Sequence, residues 1–301
     1  MKPQYFSGYL LLMFFFAQLL SCSSGGGGRE TTSAADTGFS PKTDSISHPL
    51  TADSNPADSI LADTNRRYIF LTWDDAPQPP GTGNCLRTFN ELGIKATFFV
   101  VGFNGRERTR ERLMDSLRES YPNILIANHS FSHAMNNRYQ RFYAPAALDS
   151  AVKDFEHNEK LLQVPVKILR FPGYNTWAVN GMIAGQLTKK PLVYRMDSLG
   201  YQVIGWDAEW RGSRRTHLPK ESATEMALRV FHLLNTGKTR VPGTIVILSH
   251  DHFFGEPAAV DSLRTFIQLL QADPRNVFET IDRYPELHRV RRLRTSTNQG
   301  N

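Results

Sequence analysis

The chain has 301 residues, of which 40% are hydrophobic, 21% are charged and 2 are cysteines. These values are ordinary for a globular protein with a buried core, and they exclude a collagen-like chain, a coiled coil and disorder throughout. Two cysteines are too few for a scaffold held together by disulfides. The net charge of +6 permits an anionic partner without identifying one.

The first segment, residues 1–21, has the pattern of a secretory signal. Lys2 precedes the apolar run Tyr9–Leu20, which is too short to cross about 30 Å of hydrocarbon comfortably. The run closes on Leu19-Leu-Ser-Cys22, which resembles the lipobox of bacterial lipoproteins. That resemblance implies an acylated Cys22 that anchors the protein to a membrane of the cell envelope. Two serines follow it, which favours the outer membrane; the alternative is an ordinary signal peptide with an incidental cysteine.

The next segment, residues 22–66, reads as a flexible linker. It contains the glycine run Gly25–Gly28, many serine, threonine and aspartate residues, and few spaced apolar residues. Such a stretch buries too little surface to offset its ordering entropy. It holds three cations and six anions, so the basic charge lies in the rest of the chain. We expect a single domain over residues 67–293 and a disordered tail over residues 294–301.

From residue 67 onward, strand-like and helix-like segments alternate. The predicted strands are Tyr68–Trp73, Ala96–Val101, Ile124–Ala127, Val166–Phe171, Tyr201–Trp206 and Thr244–Leu248. The predicted helices are Cys85–Leu92, Arg106–Ser120, Pro145–Gln163, Pro219–Leu234 and Ala258–Gln271. This alternation predicts a parallel sheet in an α/β fold, either an open doubly wound sheet or a (β/α) barrel.

The polar residues that favour a barrel follow the predicted strands. In a barrel, the C-terminal ends of the strands converge on one mouth, where barrel enzymes keep their active sites. An open sheet would spread the same strand ends along a wide edge. The residues concerned are Asp74, Asp75, His129, His133, Arg170, Asp207, Glu209 and His250.

Two histidines four residues apart, His129 and His133, indicate a metal site. On a turn of helix this spacing places both rings on one face, close enough to share an ion. Such pairs are also common on surfaces, and an aspartate pair such as Asp74 and Asp75 is usually a solvated turn or helix cap. Together, two histidines and one carboxylate would form an open metal site of the catalytic kind.

Five short segments, taken in order, resemble the polysaccharide deacetylases with a NodB-homology domain, carbohydrate esterase family 4. They are Thr72-Trp-Asp-Asp-Ala-Pro77, His129-Ser-Phe-Ser-His133, Arg170-Phe-Pro-Gly173, Asp207-Ala-Glu-Trp210 and Leu248-Ser-His250. The resemblance covers about residues 67–290, and a motif gains weight when its structural context is the expected one. It implies a distorted (β/α)₇ barrel, in agreement with the strand ends.

The resemblance also implies a division of roles in the site. Asp75, His129 and His133 would bind a divalent metal, commonly zinc, which lowers the pKa of a bound water toward about 7. Asp74 would be the general base and His250 the general acid that protonates the leaving amine.

Further residues of the five motifs would support this chemistry. Arg170 is expected to orient Asp74 and to stabilise its charge. Either Asp207 or Glu209 is expected to favour the charged form of His250. The expected pocket comprises Gly173, whose backbone N–H would hold the developing oxyanion, with Tyr174, Trp210 and Leu248.

The sequence departs from the family pattern at three points. Ala76 stands where the family usually has glycine, which predicts a strained or re-aimed loop if that position needs a positive φ. Trp73 replaces phenylalanine, a tolerable change because both side chains are large and aromatic. The fourth motif is one residue shorter than usual. Its alignment is therefore ambiguous, and the role of Asp207 could belong to Glu209.

The resemblance predicts a monomeric, metal-dependent enzyme that removes acetyl groups from N-acetylated amino sugars of an envelope or extracellular polysaccharide. Two alternatives stay open: an O-acetyl esterase of the same family, and a catalytically silent lipoprotein that binds glycan. Aromatic residues interleaved with cations in a groove, as in nucleic-acid-binding proteins, are not evident, so no nucleic-acid partner is expected. Cys85 is expected to be a small core residue rather than a nucleophile.

Overall fold

The computed structural model describes residues 65–163, 166–213 and 215–287. The predicted signal peptide and tail, and all but the last two residues of the predicted linker, lie outside this part. None of the helices within it is long and apolar enough to span a bilayer.

In the described part of the chain, ten strands form one mixed sheet in the order β6-β5-β7-β4-β3-β2-β1-β9-β8, and β10 also pairs with β1. The long central strands are parallel and rich in β-branched and aromatic residues, which suit a sheet covered on both faces. The bounds are β1 Arg67–Ala76, β2 Ala96–Val100, β3 Ile124–Asn128, β4 Ile168–Leu169, β5 Thr176–Val179, β6 Met182–Gly185, β7 Gln202–Val203, β8 Ala208–Glu209, β9 Thr244–His250 and β10 Asn276–Phe278.

Within the described residues, eight α-helices surround the sheet. Their ends follow local chemistry: Gly93 ends the first with φ +63°, and Ser222 with Glu225 forms a capping box at the start of the seventh. The bounds are α1 Gly81–Leu92, α2 Arg108–Glu119, α3 His133–Asn137, α4 Tyr139–Phe142, α5 Leu148–Leu162, α6 Pro191–Ser198, α7 Ala223–Thr236 and α8 Pro257–Gln271.

The two faces of β1 belong to different cores because successive side chains point to opposite sides of a strand. Leu71 and Trp73 pack outward into a cluster that includes residues of α1, α7 and α8. Phe70 points inward, where its ring lies 5.4 Å from that of Tyr284 in a second cluster enclosed by the curled sheet. The sheet is therefore packed on both sides.

The structure confirms the predicted α/β fold and adds elements that the sequence analysis did not identify. The hairpin β5–β6 is antiparallel and turns at Asn180 and Gly181, both with positive φ, as a two-residue hairpin turn requires. The strands β8 and β10 and the helix α6 are also additional. The sheet is a curled half-barrel, in which the described edge strands β6 and β8 do not pair with each other.

Candidate active site

The end of β1 carries both aspartates into the site through a β-bulge. The register with β2 shifts between Asp74 and Ala76, so Asp75 is the inserted residue, with φ +71°. A regular strand would point the two carboxylates to opposite faces, whereas a bulge re-aims one of them. The side-chain amide of Asn104 supports the bulge by donating to the carbonyl oxygen of Asp75, at 2.8 Å.

This geometry settles the question raised by Ala76. The positive φ in the first motif belongs to Asp75, and Ala76 is fully buried without a positive φ. The loss of glycine at this position therefore does not strain the backbone. That departure gives no support to a catalytically silent protein.

The two histidines meet through a loop and a left-handed turn, not through one face of a helix as their spacing suggested. His129 follows the last residue of β3, and His133 opens α3, whose five residues all have positive φ between 48° and 63°. Left-handed backbone costs about 1–2 kcal/mol for each ordinary residue. The Ser132 hydroxyl accepts from the N–H of Met135 and helps to hold the turn. The two rings lie 5.2 Å apart, centre to centre.

Three side chains form a set that could hold a metal ion. Oδ1 of Asp75 lies 3.1 Å from Nε2 of His133 and 3.5 Å from Nε2 of His129. The three candidate ligand atoms all lie within 4.8 Å of one another. Oδ1 of Asp75 is buried without a well-aligned hydrogen bond among the described residues. An unsatisfied carboxylate oxygen facing two imidazole nitrogens fits a divalent cation such as zinc.

The tautomer of His129 also fits a metal ligand. Its Nδ1 lies 2.9 Å from the carbonyl oxygen of Arg170, which can only accept a hydrogen bond. Nδ1 therefore carries the proton, and Nε2 presents its lone pair toward Asp75. This is the arrangement by which metal-binding histidines are usually oriented.

Burial and neighbouring charges have opposite effects on the pKa values of these three side chains. Burial lowers the pKa of His129 to about 4 despite the nearby charge of Asp74 and Asp75. For His133, burial alone would lower the pKa, but the close carboxylate of Asp75 outweighs it and raises the pKa. Burial favours neutral Asp75, yet the surrounding imidazoles, His133 foremost, hold the pKa of this carboxyl far below its ordinary value.

Arg170 forms a buried ion pair with Asp74 beneath the pocket. Its Nη1 donates to Oδ1 of Asp74 and to the Thr72 hydroxyl, each at 2.8 Å. Nε and Nη2 donate to the carbonyl oxygens of Ile204 and Gly205. Arg170 has no exposed surface, so this buried side chain fixes the position of Asp74.

Asp207 and Glu209, the two residues proposed to partner His250, lie at different positions along β9. Nε2 of His250 is 3.9 Å from Oδ2 of Asp75, and Nδ1 is buried without a hydrogen-bond partner among the described residues. Asp207 is level with Val246, four residues before His250 on β9, and its carboxylate accepts the backbone N–H groups of Val246 and Arg240. Asp207 therefore does not reach His250, in contrast to one of the two sequence-based expectations. Glu209 does reach the pocket wall.

A pocket of about 420 Å³ surrounds these groups. Of the predicted wall, Gly173 and Leu248 line it. Trp210 does not line it: this side chain is fully buried, and its indole N–H donates to the carbonyl oxygen of Glu221. Tyr174 packs against Tyr139 and Tyr143 instead.

Several residues that line the pocket were not predicted from the sequence: Asn137, Tyr139, Trp206, Arg211, Gly212, Lys220, His252 and Phe253. Trp206, whose ring faces the Arg170 guanidinium at 5.7 Å, supplies the tryptophan expected from Trp210. His252 lies in the short 3₁₀ turn Asp251–Phe254 directly after β9, and no sequence pattern singled it out. Burial, with the charge of His250, lowers the pKa of His252 to about 4.

Comparison with known proteins identifies relatives of this chain. The model of the polysaccharide deacetylase family matches residues 61–182. A chitooligosaccharide deacetylase of Rhizobium leguminosarum bv. trifolii is 38% identical over 72 residues, which are 24% of this chain and 32% of the relative. A chitin disaccharide deacetylase of Vibrio alginolyticus is 23% identical over 72% of this chain and 71% of its own.

A solved structure shares the fold. That of a carbohydrate esterase family 4 enzyme from Streptococcus mutans superposes with a TM-score of 0.53 at 20% identity, covering 74% of this chain and 90% of the other. At that identity the likeness concerns the fold. The family match over residues 61–182 and the five motifs at the strand ends make this chain similar to the polysaccharide deacetylases.

Proposed function

We propose that the protein hydrolyses the acetamido group of N-acetylated amino sugars in a polysaccharide, using a divalent metal ion, zinc, held by Asp75, His129 and His133. The observation that carries this proposal is the unsatisfied Oδ1 of Asp75, which faces Nε2 of both histidines in a polar pocket. The pocket is also lined by Asp74, a buried carboxylate, and by His250. Neither side chain is a proposed metal ligand. A base, an acid and a metal site are what amide hydrolysis requires.

The residues of the site divide the work of hydrolysis. When bound, a divalent ion supplies Lewis acidity, which lowers the pKa of water toward about 7 and polarises a carbonyl oxygen. Asp74, held in place by Arg170, accepts the proton of the attacking water. Gly173 lies at the pocket wall, and its N–H is the proposed donor to negative charge on the acetyl oxygen.

His250 supplies the proton that the departing amine needs. An amide nitrogen leaves poorly unless it is protonated, and imidazole is suited to this transfer near neutral pH. The ring lines the pocket at the end of β9, paired in register with Asp74 at the end of β1. Base and acid thus stand on neighbouring strands, beside the same metal site.

The proposed setting is the cell envelope. The lipobox-like segment that ends at Cys22 supports an acyl anchor in the outer membrane, and the following linker would let the domain reach a polysaccharide at that surface. The substrate is accordingly an acetylated polysaccharide of the envelope or its surroundings.

The test combines metal content with acetate release from chitotetraose. We expect the wild type to contain about one zinc per chain and to release acetate, and chelation to abolish release. The double variant His129→Ala, His133→Ala should lose both metal and activity, since the one remaining ligand cannot hold the ion. His232→Ala, at an exposed histidine of α7, is the matched control and should keep both.

The variant Asp74→Asn separates base from ligand. It should keep the metal and lose about two to four orders of magnitude in rate. Full zinc content in the double histidine variant would place the metal elsewhere. Failure of the zinc-loaded wild type to release acetate from any N-acetylated glycan would refute the proposed activity.

A further inference from the structure

Tyr139 lines the active-site pocket and belongs to none of the five motifs. It is the first residue of α4, and its side chain is half-buried. Its ring contacts both the imidazole of His133 and the backbone of Gly173. Tyr139 therefore connects the candidate metal site with the proposed donor to the acetyl oxygen.

The ring of Tyr139 covers Gly173 closely. Gly173 has φ +77°, and a Cβ at this position would lie 2.9 Å from Cε1 and 3.0 Å from Cζ of the tyrosine. Both distances are shorter than the separation at which carbon atoms normally make contact. The ring thus occupies the space that a side chain at residue 173 would need, and glycine lets it pack directly against the backbone.

Further contacts hold the ring in this position. It makes edge-to-face contacts with the rings of His133 and Tyr174, whose centroids lie 6.0 Å and 5.9 Å away. Its hydroxyl donates to Oδ1 of Asn137, the last residue of α3, at 2.7 Å. Because α3 begins at His133, Tyr139 is attached to the turn that carries this candidate ligand while it packs on Gly173.

The N–H of Gly173 is suited to a role in which its exact position matters. Among the described residues it has no hydrogen-bond acceptor, so no partner of its own fixes it. A donor to developing charge must be held in place, since a displacement of about 1 Å can cost about 100-fold in rate.

We infer that Tyr139 is a positioning residue, whose ring holds the N–H of Gly173 in place relative to the metal site so that it stabilises the charge developing on the acetyl oxygen. This inference rests on the proposed deacetylase function and adds a residue to it. The ring acts on the transition state through Gly173, and neither metal binding nor glycan binding depends on it.

The first test compares variants on chitotetraose at matched zinc content. Tyr139→Ala should keep its zinc and lose about 10- to 100-fold in kcat, with KM within about twofold of wild type. Tyr139→Phe keeps the ring and should keep most of the activity. Tyr194→Ala, at an exposed tyrosine of α6, is the matched control and should behave as wild type. A raised KM at unchanged kcat, or loss of zinc, would overturn the inference.

A double-mutant cycle tests whether the ring and Gly173 act together. Gly173→Ala places a Cβ against the ring and should lower kcat. Adding Tyr139→Ala removes that clash, so the double variant should lose less than the product of the two single losses. If Tyr139→Ala does not fold, Tyr139→Leu gives the same comparison. Single losses that simply multiply would show independent roles and overturn the inference.

Binding without turnover separates this inference from the proposed activity. A methylphosphonamidate analogue of chitotetraose carries a tetrahedral anion in place of the acetyl carbonyl, so its affinity reports stabilisation of that charge. In zinc-loaded Asp74→Asn, the added change Tyr139→Ala should weaken the analogue by about 10- to 100-fold and leave chitotetraose binding within about twofold. Unchanged affinity for the analogue would overturn the inference. Absence of acetate release by the wild type, with these binding changes observed, would instead refute the proposed activity alone.

Discussion

His250 illustrates how a single side chain can be tested for its role as the acid. Its Nε2 faces the metal site and its Nδ1 is buried without a hydrogen-bond partner in the described part of the chain. An amide nitrogen must be protonated to depart, whereas the phenolate of an activated aryl ester leaves as a stable anion. The demand for an acid therefore depends on the leaving group.

We expect His250→Ala to keep its metal and to lose about two to four orders of magnitude on N-acetylglucosamine oligomers, but much less on nitrophenyl acetate. The measurement is kcat/KM on both substrates at matched zinc content. Equal fractional losses on the two substrates would contradict the role of His250 as the acid.

Asp251, the residue after His250, is a second testable group. It is fully buried, its Oδ2 accepts from the Thr82 hydroxyl, and its Oδ1 has no partner within the described residues. Burial, with a smaller effect of the Asp75 charge, raises the pKa of Asp251 to about 8 from an ordinary value of 3.8. Folding therefore favours the protonated carboxyl.

A raised pKa in the folded state implies stability that is present at low pH and lost as pH rises from about 4 to about 8. We expect Asp251→Asn, which stays neutral, to weaken this decline and to raise Tm at pH 9 by several degrees relative to wild type. Thermal unfolding in chelator from pH 5 to pH 9 checks this without the metal charge. Parallel Tm curves for the two proteins would show that Asp251 is ionised in the fold.

At the scale of elements, α5 holds the loop that carries the two histidines. Oδ2 of Asp154 accepts the backbone N–H groups of Phe131 at 2.9 Å and Ser132 at 3.2 Å. Asn158 donates to Oδ1 of Asn128, which in turn accepts the N–H of Ser130. The loop between His129 and His133 is thus fixed from the helix side.

Removal of this support should loosen the metal site. We expect Asp154→Ala to lower zinc affinity by about 10- to 100-fold, as is usual when the groups that orient metal ligands are lost. Asp154→Asn keeps an acceptor and should have a smaller effect. Competition with a chromophoric chelator measures the affinity, and Asp149→Ala on the same helix is the control. Unchanged affinity in Asp154→Ala would mean that the loop keeps its shape unaided.

The segment that carries His129 and His133 shows which features of the site could be predicted from the sequence and which could not. The strand ends predicted the right neighbourhood for His129 and His133, because parallel strands bring their C-terminal ends together. The left-handed backbone of α3 was not predictable, since none of its five residues is glycine and its shape depends on hydrogen bonds with Ser130 and Ser132. Local hydrogen bonds from backbone N–H groups to serine hydroxyls hold this conformation.

Other differences have more local causes. The bulge at Asp75 leaves no clear mark in a single sequence, yet it decides how both aspartates point. Asn180-Gly181 did carry a signal, because this dipeptide is strongly associated with two-residue hairpins. The sequence did not decide between Asp207 and Glu209 as the partner of His250. In the structure β8 spans only Ala208–Glu209, so Asp207 lies before the strand and Glu209 lies at its end.

At the scale of the domain, the candidate site and the C-terminal segment involve different residues of the curled sheet. The candidate metal ligands and the pocket lie at the C-terminal ends of β1, β3 and β9. The inner core includes Ile281 and Tyr284 from the C-terminal segment, and Arg240 is paired with Glu286. Barrel enzymes generally separate stability from catalysis in this way.

The protein as a whole is proposed to work from a membrane, and Cys22 is the residue on which this depends. Two or three acyl chains on one cysteine suffice for stable anchoring where a single chain would not, and the linker sequence offers no second apolar segment. We expect Cys22→Ala to move the protein from the membrane fraction to the soluble fraction, because about 0.8 kcal/mol is lost for each CH₂ no longer buried in lipid. Cys85→Ala is the matched control: Cys85 is buried inside the domain, so this variant should stay with the membrane. Fractionation and mass spectrometry of the mature N-terminus provide the measurement. Two results together would contradict this prediction: an unmodified N-terminus at a residue other than Cys22, and membrane association that persists in Cys22→Ala. Another segment would then anchor the protein to the membrane.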